Sequence, residues 1–246
     1  MPIFESPSYH GYDTVDYRAV DAEYGTLEDL EALLAAAHAR GIRVVVDFMV
    51  NHTGADHPWF VESASSPDSP RRDWYVWRPD DPGWTQPWGG GPTWHEHDGE
   101  YYYGVFWSGM PDLNFANPEV RTEVADIARY WLDVGVDGFR LDAARHLFAN
   151  GDGELQNDQP ETHAFWRELA ATVRAHHPGA LLIGENWTDT DHIAPYYGTT
   201  TVVERGDQLP MSFNFPLAGA ILEAVESGGA TPVAEVLADM GAHYPR

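Results

Sequence analysis

Three short apolar runs that each end in polar or charged groups constrain this chain more than any other feature. They are Val44-Val45-Val46-Asp47-Phe48-Met49-Val50-Asn51-His52, Val136-Asp137-Gly138-Phe139-Arg140-Leu141-Asp142 and Leu181-Leu182-Ile183-Gly184-Glu185-Asn186. Brief runs rich in Val, Ile and Leu read as buried strands. Helical patterns separate them. Thr26 offers an N-cap with Asp29 three residues on, Leu27, Leu30, Leu34 and Ala37 recur at helical spacing, and Gly41 closes the pattern. Asn117-Pro118 opens a second helix with Val120, Val124, Ile127, Trp131 and Leu132 on one face and Gly135 at its end. A third helix runs from Glu161 to Ala175 and leads through His176-His177-Pro178 into the strand at 180–184. Strand and helix alternating in this way predict an α/β fold with a parallel sheet and crossover helices. Met211 to Phe215 predicts a further strand, followed by helices around 217–226 and 231–240.

The strand ends carry the chemistry. Side chains alternate along a strand, so Arg140 and Asp142 share a face. A guanidinium beside a carboxylate favours its ionised form, and a positioned Asp at a buried strand end suits the nucleophile of a retaining glycosidase. A structural Arg–Asp pair is the alternative on that stretch alone. Core packing, however, poorly explains three buried strands that each end in Asp, His or Glu. The adjacent His176 and His177 have no partners in the sequence and read as a helix terminus rather than as metal ligands.

Taken with Met110-Pro111-Asp112-Leu113-Asn114, these three stretches resemble, in order, signature regions of glycoside hydrolase family 13, the α-amylase family. The resemblance runs over essentially the whole chain. It implies a partial (β/α)8 TIM barrel formed by residues 1–52 and 118–246, with a small Trp-rich domain, 53–117, inserted after strand three. It also implies Asp142 as nucleophile and Glu185 as acid/base, with Arg140 holding the Asp142 pKa low and Asp47 holding its strand end in place. By the same resemblance Tyr12 stacks on the sugar at the cleavage subsite, His10 helps line it, and His52 hydrogen-bonds to the sugar. A structural Ca²⁺ is implied at Asn51, Asp112 and the backbone carbonyl of His146. The implied substrate is an α-glucan or malto-oligosaccharide. Arg145-His146 and Met110 lean toward an amylase, whereas Asp73-Trp74-Tyr75-Val76-Trp77 resembles the glucosidase and trehalose synthase branches. A transglycosylase uses the same residues. A non-catalytic binding homologue typically loses one of the two carboxyls, and both are present here.

Residues 53–117 break the strand–helix rhythm. Seven of the ten tryptophans lie there, at 59, 74, 77, 84, 88, 94 and 107, mixed with Pro, Gly and Tyr and showing no helical period. Most are expected to pack a small aromatic core, with one or two free to stack on sugars. Gly89-Gly90-Gly91 lacks the Lys-Ser/Thr of a phosphate loop. The 39 Asp and Glu against 14 Lys and Arg, a formal net charge of −25, argue against nucleic acid or an anionic membrane as partner. With no cysteine, disulfides and thiolate metal sites are excluded. Met1-Pro2-Ile3-Phe4 resembles the end of the family's second barrel strand, and its fourth signature region does not occur in these residues. The resemblance therefore implies roughly strands three to six of eight. Such an unclosed sheet, with two free edges, is expected to be inactive and prone to associate by itself.

Overall fold

The computed structural model describes residues 2–198 and 206–245. A four-stranded parallel sheet lies at its centre, in the order β3 (Val45–Phe48), β7 (Gly138–Leu141), β8 (Leu181–Gly184) and β9 (Met211–Ser212). The register sets Val45, Val46, Asp47 and Phe48 opposite Gly138, Phe139, Arg140 and Leu141, and these in turn opposite Leu181 to Gly184. Crossover helices α3 (Pro118–Val134) and α4 (Pro160–His176) connect the strands. Asn117 caps α3, its side chain accepting from the Glu119 amide at 2.9 Å, and Gly135 ends it at φ +120°. Val120, Val124, Ile127, Trp131 and Leu132 are buried, as their spacing predicts. Helix α1 (Leu27–His38) carries the expected Thr26–Asp29 capping box.

Three of the strands, β3, β7 and β8, turn apolar residues into a continuous core: Phe48, Phe139, Leu141 and Leu182 are at most 1% exposed. Full burial of a side chain of this size stabilises the fold by roughly 1.5–3 kcal/mol. The largest residues there also satisfy their polar atoms. Trp131 donates its indole N–H to the Tyr17 carbonyl at 2.7 Å, and Trp166 donates to the Ala144 carbonyl at 2.8 Å. At Gly138 an added Cβ would lie 2.1 Å from the Leu181 carbonyl oxygen, so β7 and β8 approach closely only because this position lacks a side chain.

Three features depart from the sequence reading. The strand expected over 211–215 stops at Ser212, because Asn214 caps helix α6 (Phe215–Ser227) and Pro216 sits in its first turn. Phe4 packs edge-on against Phe48 at 6.1 Å, yet β1 (Phe4–Glu5) bonds antiparallel to β2 (Asp16–Val20) rather than to β3. The insertion contains a seven-residue helix, α2 (Pro58–Ala64), where no helical period was visible. Its other regular part is an antiparallel sheet of β4 (Trp77–Arg78), β6 (Glu100–Tyr103) and β5 (Trp94–His97), in that order. Phe60, Trp74, Tyr75 and Tyr102 join the main core, while Trp94, Tyr103 and Val105 form a separate cluster. A one-turn helix, α5 (Thr190–Ile193), follows β8; after β9, α6 packs on α7 (Thr231–His243), leaving Leu222, Val225 and Leu237 exposed. No helix among the described residues is long and apolar enough to cross a membrane.

Candidate active site

The parallel register builds the site. Asp47 is the Cα partner of Arg140 on β7, so the carboxylate and the guanidinium emerge side by side. Arg140 reaches Asp47 at 3.2 Å and Asp142 at 2.5 Å through one terminal nitrogen, and Glu185 at 2.5 Å through the other. Asp142 and Glu185 both follow the C-terminal ends of their strands, β7 and β8. Two carboxyls bridged in this way by one planar guanidinium cannot stand as far as ~9.5 Å apart, the outer limit of the glycosidase geometries.

Backbone bonds fix the two turns. The Glu185 amide donates to the Leu141 carbonyl at 2.9 Å, and the Ala144 amide to the Glu185 carbonyl at 3.3 Å. Ala143 adopts φ +49°, a left-handed conformation unusual for a residue with a side chain, and its N–H donates to the Glu185 carboxyl at 3.2 Å. Nothing in the sequence signals this strained turn.

Burial dominates the electrostatics. It pushes the Asp142 carboxyl above its usual range, and the Arg140 charge only partly offsets it. The expectation that Arg140 holds Asp142 low is therefore corrected. Burial, followed by the Asp142 charge, also pushes Glu185 up, again against Arg140.

Tyr12 sits with its ring 5.9 Å from the Arg140 guanidinium, and burial together with the Asp47 charge raises its phenol pKa. His10 lies 6.0 Å from Tyr12, ring to ring, and its Nδ1 accepts from the Tyr12 amide at 3.1 Å. His52 is placed differently from a residue open to the cleft. It is 1% exposed, with Nε2 3.1 Å from the Tyr12 carbonyl and Nδ1 3.0 Å from the Asn51 Oδ1. It thus supports Tyr12 from below. Phe213, which the sequence did not single out, lies 6.0 Å from the Arg140 guanidinium; Trp187, expected as an apolar neighbour able to raise the Glu185 pKa, is 73% exposed and stacks on Phe215. Of the insertion's tryptophans, Trp88 and Trp107 are about half exposed. Trp88 stacks on Phe106, which in turn packs edge-on against His52.

Asn51, Asp112 and His146 also meet. The Asn51 Nδ2 lies 2.8 Å from the His146 carbonyl and 3.2 Å from the Asp112 carboxylate. Asp112 is 3% exposed, and burial raises its pKa well above the usual carboxylate range.

A family model described as the α-amylase catalytic domain matches residues 1–238. The chain belongs to the α-amylase family. It is 45% identical over 225 residues to α-amylase 3 of Dictyoglomus thermophilum, covering 92% of this chain and 41% of that protein. It is 37% identical over 249 residues to the trehalose synthase/amylase TreS of Mycobacterium tuberculosis, covering 96% of this chain and 40% of the relative. A crystal structure of an α-amylase from H. orenii superposes with a TM-score of 0.86 at 39% identity, covering 99% of this chain and 47% of that one. The chain thus spans about two fifths of the length of these curated relatives. Its parallel sheet is part of the TIM barrel of α-amylase family enzymes, which are glycoside hydrolases and transglycosylases.

Proposed function

We propose that the protein containing these residues is a retaining α-glycosidase acting on α-1,4-linked glucans, with Asp142 as nucleophile and Glu185 as acid/base. The observation that carries this reading is the single guanidinium of Arg140 bridging the two carboxyls at 2.5 Å each. In the first step Glu185 gives its proton to the glycosidic oxygen, the bond from that oxygen to the anomeric carbon breaks, and an Asp142 oxygen bonds to that carbon. In the second step Glu185 takes a proton from water, whose oxygen displaces Asp142. Two inversions give net retention. The step order needs a proton on Glu185 while Asp142 is charged. The upward push on Glu185 from burial and from the neighbouring Asp142 charge supports that allocation. Tyr12 serves as the face on which the reacting sugar rests, with His10 beside it, and the exposed Trp88 is the outer stacking surface.

If a sugar hydroxyl replaces water in the second step, the same residues perform transglycosylation. The likeness to a trehalose synthase/amylase favours keeping that second reading. The test uses an active form containing these residues. Asp142→Asn and Glu185→Gln should each lower turnover by several orders of magnitude while the circular dichroism spectrum stays unchanged. Proton NMR of the first product should show the α-anomer. Near-normal activity in either variant, or a β-anomer, would overturn the roles, and product analysis on maltose separates hydrolysis from transfer.

The donor set at Asn51 fits a hard cation. With Nε2–H donated to the Tyr12 carbonyl, a neutral His52 presents a bare Nδ1, and burial lowers its pKa to about 4, so it is neutral near pH 7. A bare nitrogen needs a donor opposite it, so the Asn51 amide satisfies His52 by turning its NH2 that way. The Asn51 oxygen then faces the Asp112 carboxylate and the His146 carbonyl. Three converging oxygens, one of them a buried carboxylate, suit Ca²⁺. In this reading Asn51, Asp112 and His146 hold the ion, which contributes structure between the barrel and the insertion and takes no part in the chemical steps. Calorimetry with and without EDTA tests it. An unchanged melting temperature with no metal by elemental analysis would remove the ion.

A further inference from the structure

The two adjacent histidines that lacked partners in the sequence have one in the fold. Asp133, in the last turn of α3, places Oδ1 3.0 Å from Nε2 of His176 and 3.0 Å from Nε2 of His177. The two rings meet edge to face at 4.7 Å, so neither blocks the other's nitrogen. All three ligand atoms lie within 4.8 Å of one another. The backbone beneath them is held: His176 is the last residue of α4, the His177 amide donates to the Val173 carbonyl at 2.7 Å, and the His177 carbonyl accepts from Ala180 at 3.0 Å.

We propose that Asp133, His176 and His177 form a surface site for a borderline divalent ion of the Zn²⁺, Ni²⁺ or Cu²⁺ class. The site is independent of the glycosidase reading and of the oxygen donors at Asn51. Two imidazole nitrogens and one carboxylate oxygen match the ligand preferences of these metals, whereas Ca²⁺ and Mg²⁺ call for more oxygens. In a tetrahedral zinc site with bonds of ~2.0–2.1 Å, neighbouring ligand atoms stand ~3.3 Å apart. The 3.0 Å separations here therefore need to open by only a few tenths of an ångström. The three side chains are 35–60% exposed, so an ion can enter from solvent. The same exposure lets water complete the coordination, and beside the site lies a cavity of about 420 Å³ that His177 lines. His38, on another wall of that cavity, is not a fourth ligand, since its Nε2 is paired with Asp137 at 2.8 Å.

The location suggests what the ion does. Asp133 lies just before β7 and His177 just before β8, at the strand-start end of the sheet, whereas Asp142 and Glu185 follow the strand ends. A metal there joins the C-terminal ends of α3 and α4, neighbouring helices that pack on each other. It acts as a clamp on the scaffold and stabilises the native state by mass action.

Titration of a chelator-treated active form containing these residues with ZnCl2 in Ca²⁺-saturated buffer, followed by calorimetry and by thermal melting, tests this. One tight equivalent of Zn²⁺ that excess Ca²⁺ does not displace is expected, with a melting temperature above that of the Ca²⁺-saturated form. His176→Ala, His177→Ala and Asp133→Asn should each weaken that equivalent at least about tenfold. Circular dichroism identifies variants that keep the fold, and Asp133→Asn preserves size should a histidine change not be tolerated. A second surface trio, Asp191, Asp239 and His243, serves as the control. The double variant Asp239→Ala with His243→Ala should bind as the parent does. Zinc uptake unchanged in the three site variants, or lost instead in the control, would overturn the proposal, as would no tight zinc at all.

Discussion

Arg140→Leu probes the arrangement at its centre. The change removes a cation that contacts Asp142 and Glu185 at 2.5 Å and Asp47 at 3.2 Å, and leaves three carboxyls whose side chains are only 7–21% exposed. Removing one partner of a buried ion pair costs roughly 3–5 kcal/mol, because the remaining charge is desolvated without compensation. That range applies at pH 7, and proton uptake by the orphaned carboxyls limits it. The pH dependence has a definite sign. Asp142 and Glu185 already have folded-state values raised by burial. Between the ordinary carboxyl range of ~4 and those raised values, the native state binds more protons than the unfolded chain, so stability falls as pH rises. Arg140→Leu raises both further, so its deficit is full above the raised values and shrinks as pH falls toward ~4. Urea unfolding of parent and variant at pH 7 and pH 5 measures the difference free of other titrating groups. A penalty below ~1 kcal/mol at pH 7, or one that does not shrink at pH 5, would refute the reasoning.

Gly138→Ala should be among the most damaging small substitutions: the new Cβ would meet the Leu181 carbonyl at 2.1 Å, at a φ of +155°. Loss of the cooperative thermal transition is expected, and a melting temperature within a few degrees of the parent would show that β7 and β8 can part. Trp166→Phe strands the Ala144 carbonyl that the indole N–H now holds at 2.8 Å. A cost of about 1–3 kcal/mol in urea is expected, and a neutral result would mean water replaces the indole. In an active form, Glu185→Gln should remove the alkaline limb of the pH–rate profile, because that limb is deprotonation of the acid; a limb that persists would assign it to another group.

What the sequence revealed followed from patterns that survive in one dimension. Alternation put Arg140 and Asp142 on one face, and Asn117-Pro118 and Gly135 marked the ends of α3 without any tertiary knowledge. Residue depth does not survive in that way. The sequence shows that Arg140 neighbours Asp142, but the desolvation that outweighs this charge comes from the strands on either side. The depth of His52 is hidden for the same reason: the resemblance implied a hydrogen bond to the sugar, and only packing shows the ring buried against the Tyr12 carbonyl. The shortened β9 was legible, since Asn214 and Pro216 are a helix start, but the strand-like alternation of Met211, Phe213 and Phe215 with Ser212 and Asn214 masked it. Strand β2, with Tyr17 buried between exposed Asp16 and Arg18, reads as polar loop because its pattern is too short to stand out.

The division of labour within the fold follows from where rigidity lies. Asp47, Arg140, Asp142 and Glu185 are set by adjacent parallel strands, whose register leaves little freedom in their spacing. The surfaces around them are built otherwise. Tyr12 comes from a turn, Trp88 and Phe106 come from the insertion, and Trp187 and Phe213 follow strand ends. Sites whose reacting groups sit on the sheet keep their chemistry while loops vary what is bound. Relatives named as an α-amylase and as a trehalose synthase/amylase align across nearly all of this chain, as expected if their differences lie in such surfaces. A chain of contacts links the insertion to the Arg140 cluster: Trp88 stacks on Phe106, Phe106 packs edge-on against His52, His52 hydrogen-bonds to the Tyr12 carbonyl, and the Tyr12 ring lies beside the Arg140 guanidinium. Substitutions along it should act on sugar affinity before they act on the carboxyls, because none of its members bonds to Asp142 or Glu185 among the contacts that fix them.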